Sequence, residues 1–115
     1  LVLPFSQLPT ELQKLLEGIE ILDYGITIKA NIFSFEATQC SIPLPLVLSY
    51  ALAVASIGGA EKIYLAGMDG YGSSDRRSSE MDVVLKAYSA NSNTIDLISI
   101  TPTSYDLASS SVYAL

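Results

Sequence analysis

The sequence predicts an α/β fold: a Rossmann-like, open and mainly parallel sheet with helices on both faces. Three observations carry that expectation. Short β-prone runs alternate with helical segments along the chain, the pattern of a sheet built from strand–helix–strand units. Residues 41–57 form the most hydrophobic segment, apolar all round, so a helix there should be covered on several sides. That segment turns at Gly58 and Gly59 into residues 62–67, an apolar run without solvent-like alternation that suits a parallel strand covered on both faces.

The chain has 115 residues, one domain's worth and enough to bury a single core. No repeat and no second domain is visible, so residues 1–115 are expected to form one domain. Its start, Leu1-Val2-Leu3-Pro4, lies inside an apparent strand, and the expectation is a piece of a longer protein.

Residues 1–3 read as a strand end stopped by Pro4. Pro9 or Thr10 can start a helix whose Leu12, Leu15 and Leu16 share a stripe, and Gly18 can end it in a left-handed cap. Residues 19–22 and 25–28 are β-prone pieces separated by Asp23-Tyr24-Gly25, and residues 32–38 alternate as a strand does. Ser41 can cap the apolar helix, with Pro43 and Pro45 in its first turn. After the polar stretch 68–79, residues 80–90 read as a helix with Met81, Val84, Leu85 and Tyr88 on one face. A start near Asp75 fits equally. Residues 91–93 are a turn and 95–100 the last strand, while Tyr105, Leu107, Val112 and Tyr113 make the tail too apolar to hang free.

Composition removes several chemistries. There is no His, hence no imidazole base, no His metal ligand and no Ser-His or Cys-His pair within the chain. One Cys forbids an internal disulfide and a multi-Cys zinc site. The net charge of −6 argues against a nucleic-acid partner, whose affinity needs clustered Lys and Arg. A spanning helix needs about 20 apolar residues, and the run 42–57 is shorter and opens with two prolines. A cytoplasmic location, with no membrane partner, is expected.

In sheets of this kind ligands sit beyond the carboxyl ends of the strands. Ser41, at the expected start of the apolar helix, is one candidate for an anion, against the plain reading of an N-cap. The loop Gly67-Met68-Asp69-Gly70-Tyr71-Gly72 is the second. Gly67 and Gly70 permit close backbone approach, Asp69 can accept from a sugar hydroxyl, and Tyr71 can stack on a ring; a strained turn gives the same letters. The order G-x-x-G-x-G is not the dinucleotide fingerprint, and no P-loop Lys follows. Arg76 and Arg77 can grip a phosphate or carboxylate, or pair with Glu80 or Asp82 at the surface. Thr101-Pro102-Thr103-Ser104-Tyr105 follows the last strand and should reach the same edge, with Thr101 as a lining hydroxyl. Cys40 reads as a small buried residue, and Asp69, Asp75, Glu80 and Asp82 as solvated surface with no calcium-loop spacing.

The string Lys62-Ile63-Tyr64-Leu65-Ala66-Gly67-Met68-Asp69-Gly70-Tyr71, with Asp75-Arg76-Arg77, Glu80-Met81, Thr101-Pro102-Thr103-Ser104-Tyr105 and Ser111-Val112-Tyr113, resembles the C-terminal domain of bacterial aldolase-like proteins. These are related to HMG-CoA lyase and 4-hydroxy-2-oxovalerate aldolase and are often found with surface-polysaccharide genes. The strand-loop piece is also similar to the Rossmann-like core of bacterial sialyltransferases and motility accessory factors. The resemblance spans residues 42–113.

The first relative implies an accessory domain, not catalytic alone and without a cofactor of its own. The divalent metal and the lyase chemistry would belong to a separate barrel, the catalytic domain of the same protein. The second implies a CMP-sugar held at positions matching Ser41 and Asp69, with Gly67 and Tyr71. The sialyltransferase histidine has no counterpart here. The expected function is therefore an accessory domain of an aldolase linked to surface-polysaccharide metabolism, taking a nucleotide or sugar ligand. A degenerate CMP-sugar-dependent glycosyltransferase-like domain is one alternative. A structural or dimerisation domain is the other, its apolar helix packing on a partner such as a second copy of the chain.

Overall fold

A computed structural model describes all residues, Leu1–Leu115. The chain runs through β1 (Val2–Leu3), a 3-10 turn (Phe5–Gln7), α1 (Thr10–Leu15), β2 (Leu22–Asp23), β3 (Gly25–Ile28), β4 (Ser34–Phe35), β5 (Gln39–Ile42), α2 (Val47–Ile57), β6 (Ile63–Leu65), α3 (Arg76–Ser89), β7 (Leu97–Ser99), β8 (Ala108–Ser109) and a closing 3-10 turn (Val112–Ala114). It is a mixed α/β structure.

The strands fall into three small sheets instead of one open sheet. β1 pairs with β2 in parallel; β5 lies between β3, parallel to it, and β4, antiparallel; β7 lies between β6 and β8, parallel to both. Register in the last sheet matches Ile63 to Leu97 and Leu65 to Ser99, with α3 as the crossover that a parallel pair requires.

The core joins the middle sheet to two helices: Tyr24, Phe33, Cys40 and Ile42 meet Leu52 and Ala53 of α2 and Val84 and Tyr88 of α3. Phe33 and Tyr88 stack edge to face at 5.1 Å. The Tyr88 hydroxyl accepts from the Ile95 backbone N–H at 3.0 Å and shares a hydrogen bond with Ser56 Oγ at 2.9 Å. One buried phenol thereby ties α2, α3 and the approach to β7 together.

Several expectations need correction. Residues 41 and 42 are extended, not helical, and α2 starts only after Leu46. Pro43 and Pro45 each bias the preceding residue away from helix, and the alternation that buries Cys40 and Ile42 keeps β5 going to its end. The run 32–38 gives only the two residues of β4, because Asn31, at φ 60°, and a turn from Glu36 to Gln39 bracket it. β6 is not covered on both faces: Leu65 is buried, whereas Tyr64 is 44% exposed. Helix α3 takes the earlier start, with Asp75 as its N-cap. In the tail, Tyr105 is buried and β8 pairs with β7, but Val112, Tyr113 and Leu115 are exposed. No helix is long and apolar enough to cross a membrane.

Candidate functional site

β6 and β7 run parallel, so the loops that leave their carboxyl ends emerge side by side. The chain then laces them together. Thr101 Oγ1 accepts from the Gly67 N–H at 2.9 Å, and Thr103 Oγ1 donates to the Met68 carbonyl at 2.6 Å. The Ser104 N–H donates to the Asp69 carbonyl at 3.0 Å, and Tyr105 N–H to Thr103 Oγ1 at 3.2 Å. Gly67 and Gly70 have φ of 71° and 106°, a region that L side chains avoid. A methyl group at Gly70 would overlap the Ser104 side chain, whereas space beside Gly67 is open.

The laced loops and the first turns of α3 enclose a cleft of about 260 Å³, lined by Gly67, Met68, Asp69, Gly70, Tyr71, Met81 and Tyr105. Met81 adds an apolar side chain to the lining. Asp69 is exposed and in neither of the two ion pairs of the chain. Tyr105 is only 7% exposed, and its hydroxyl has no hydrogen-bond partner. Burial raises its pKa, and Tyr71, Asp82 and Asp75 push the same way against the nearby Tyr71 amide, which falls short of bonding geometry. The phenol therefore keeps its proton and an unused donor. A buried polar group without a partner costs free energy.

The start of α3 is already occupied by protein. The Asp75 carboxylate accepts from the Arg77 backbone N–H at 2.9 Å and pairs with the Arg77 guanidinium at 2.7 Å. Those bonds hold its carboxyl down to about 2. Arg77 also lies over the Tyr71 ring, 4.1 Å from its centroid, a cation–π contact that fixes the rim of the cleft. Arg76 pairs with Glu80 at 2.8 Å on the surface. Both arginines are thus paired with carboxylates of their own chain.

Of the residues singled out in the sequence, Gly67, Asp69, Gly70 and Tyr71 come together in the cleft. Thr101 supports it from behind through Gly67, and Arg76 is held at its surface partner. Ser41 caps no helix; it lies within β5, paired with Thr27 and Ser34, and does not line the cleft. Met81 was legible as a helix-face residue but not as part of a site. With α3 starting at Arg76, Met81 falls in its second turn, beside the loop. Cys40 is buried in the core, where desolvation raises its thiol pKa, so it stays in the thiol form. No three Asp, Glu, Cys or His side chains converge as a metal-ligand set. The cleft thus offers the Asp69 carboxylate as an acceptor for hydroxyl groups, and it presents no paired nucleophile and base.

No protein-family model, curated protein or solved structure matches the chain.

Proposed function

We propose that this chain is a small-molecule-binding domain whose cleft takes the ring of a neutral sugar, free or as the glycosyl part of a nucleotide sugar. The observation that carries the reading is the exposed Asp69 carboxylate, in neither ion pair of the chain, lining one cleft with the Tyr71 ring and Met81. A carboxylate acceptor beside aromatic and apolar side chains suits the hydroxyls of a sugar ring. Phosphate is the poorer guest: both nearby arginines are paired, the α3 N-terminus is capped by Asp75, and the chain carries a net charge of −6. The same charge speaks against nucleic acid.

The parallel β6–α3–β7 unit, with its cleft at the strand ends, supports reading the C-terminal half as Rossmann-like. With the sequence resemblance, this supports reading the chain as an accessory domain of an aldolase-like protein of surface-polysaccharide metabolism. Its partner would be that protein's catalytic domain, with any divalent metal held there, in the cytoplasm.

A thermal-shift screen against neutral monosaccharides, CMP, UDP, CMP-sugars, inorganic phosphate and pyruvate tests the reading. A ligand at a hundred times its dissociation constant adds about 2.7 kcal/mol, several degrees for a domain of this size. Shifts are expected with the sugars and CMP-sugars, not with phosphate, and should disappear in Asp69→Ala. Shifts with CMP and UDP alone would transfer the site to a nucleotide. No shift with any compound would remove the reading.

A further inference from the structure

Only 14 of the 115 residues are buried, and the chain exposes 7400 Å². A closed monomer of 12.3 kDa exposes about 6,100 Å². The surplus, roughly 1,300 Å², exceeds the ~800 Å² that each partner contributes to a standard interface. The radius of gyration, 15.4 Å, is likewise above the ~13.4 Å of a compact domain of this length.

Exposed large apolar side chains are spread over the chain, and two of them, Val47 and Ile57, lie on α2. The helix carries no charged residue from Val47 to Ile57. Its buried side uses Ser49, Leu52 and Ala53. The opposite stripe, Val47, Ala51, Val54 and Gly58, follows helical spacing; Val47 is 87% exposed, Ala51 and Gly58 are exposed, and Val54 is half-buried. At the Gly58 end this stripe opens into a hollow of about 310 Å³ lined by Val2, Leu22, Tyr24, Ala37, Val54 and Ile57. Asp23 is the one charged group there, and it is engaged by the Ser6 hydroxyl and N–H.

A protruding valine and an apolar hollow therefore lie on one helix face, about 16 Å apart at 1.5 Å per residue. That arrangement is self-complementary. A twofold axis near Ala51 would seat Val47 of each copy in the hollow of the other, as an isologous interface requires. The single methyl group of Ala51 and the bare backbone of Gly58, just past the helix end, leave room for close helix approach. The contact would also bring no like charges from the two helices together.

We propose that the α2 face is a homodimer interface, with two α2 helices packed antiparallel and Val47 inserted into the partner's hollow between α2 and β1–β2. This does not depend on the ligand reading. Sedimentation equilibrium of the full chain from low micromolar to millimolar concentration tests it, alongside Val47→Glu and a control, Val83→Glu, on the outer face of α3. The wild type and the control should dimerise. Val47→Glu, which places two buried like charges in one interface, should weaken association by a hundredfold or more with an unchanged circular dichroism spectrum. Ala51→Glu repeats the test at the axis if the first variant fails to fold. A wild type that is monomeric throughout, a dimer indifferent to both α2 variants, or one broken equally by Val83→Glu would overturn the proposal.

Discussion

Gly70 lies against Ser104 at φ 106°, where an added methyl group would run into the serine side chain. Two loops 34 residues apart in sequence are thereby in direct backbone-to-side-chain contact, and the cleft exists because they are.

Gly70→Ala should consequently destabilise the chain. The left-handed backbone alone costs an L residue about 1–2 kcal/mol, and Ser104 must rotate as well. Gly72→Ala is the matched control, since nothing lies within 4 Å of its added carbon and its φ is not positive; its effect should stay within about 0.5 kcal/mol. Urea unfolding of both variants checks the difference. Adding Ser104→Ala to Gly70→Ala should recover the part of the clash due to the hydroxyl and leave the backbone part together with the tight contact to the Cβ of residue 104.

Tyr88→Phe should cost about 1–3 kcal/mol. The ring stays packed on Phe33, but the Ile95 N–H and Ser56 Oγ lose their shared partner in the core. The loss should appear as a fall of several degrees in melting temperature. An unchanged midpoint would mean that water or a shifted backbone takes over the role of the hydroxyl.

The acid limb of stability should contain Asp75. Its folded carboxyl titrates near 2, chiefly through the side-chain and then the backbone hydrogen bonds with Arg77, against an ordinary carboxylate value of about 3.9 in the unfolded chain. A lowered folded value means a contribution present above the unfolded value and lost as pH falls toward 2. The first turn of α3 should fray in that window, read as lost helical ellipticity. Asp75→Asn retains a capping oxygen without the charge and should flatten that part of the profile.

The meeting of the two loops was legible because parallel strands joined by a helix bring their carboxyl ends together, whatever the details of the sheet. The glycines and Asp69 then marked the first loop and the Thr-Pro-Thr-Ser-Tyr run marked the second. Ser41 was misread because serine before an apolar run looks like a cap, while the two prolines two apart kept the chain extended and moved the helix start to Val47. The division into three sheets was not legible. Strands of two to four residues carry too few positions for alternation to reveal which neighbour they choose. The Tyr64–Leu65 pair shows the same limit: an apolar letter at 64 reads as buried, yet it faces outward.

The central question is whether the cleft between Gly67 and Tyr105 holds a sugar. The most direct measurement is a nitrogen-15 amide NMR titration of the full chain with a CMP-sugar and, separately, its free monosaccharide. Both should move the amides of Gly67, Gly70, Tyr71 and Ser104 in one saturable process that Asp69→Ala abolishes while the remaining spectrum stays folded. Amides that stay fixed up to millimolar ligand, or that shift only at residues remote from these loops, would contradict it.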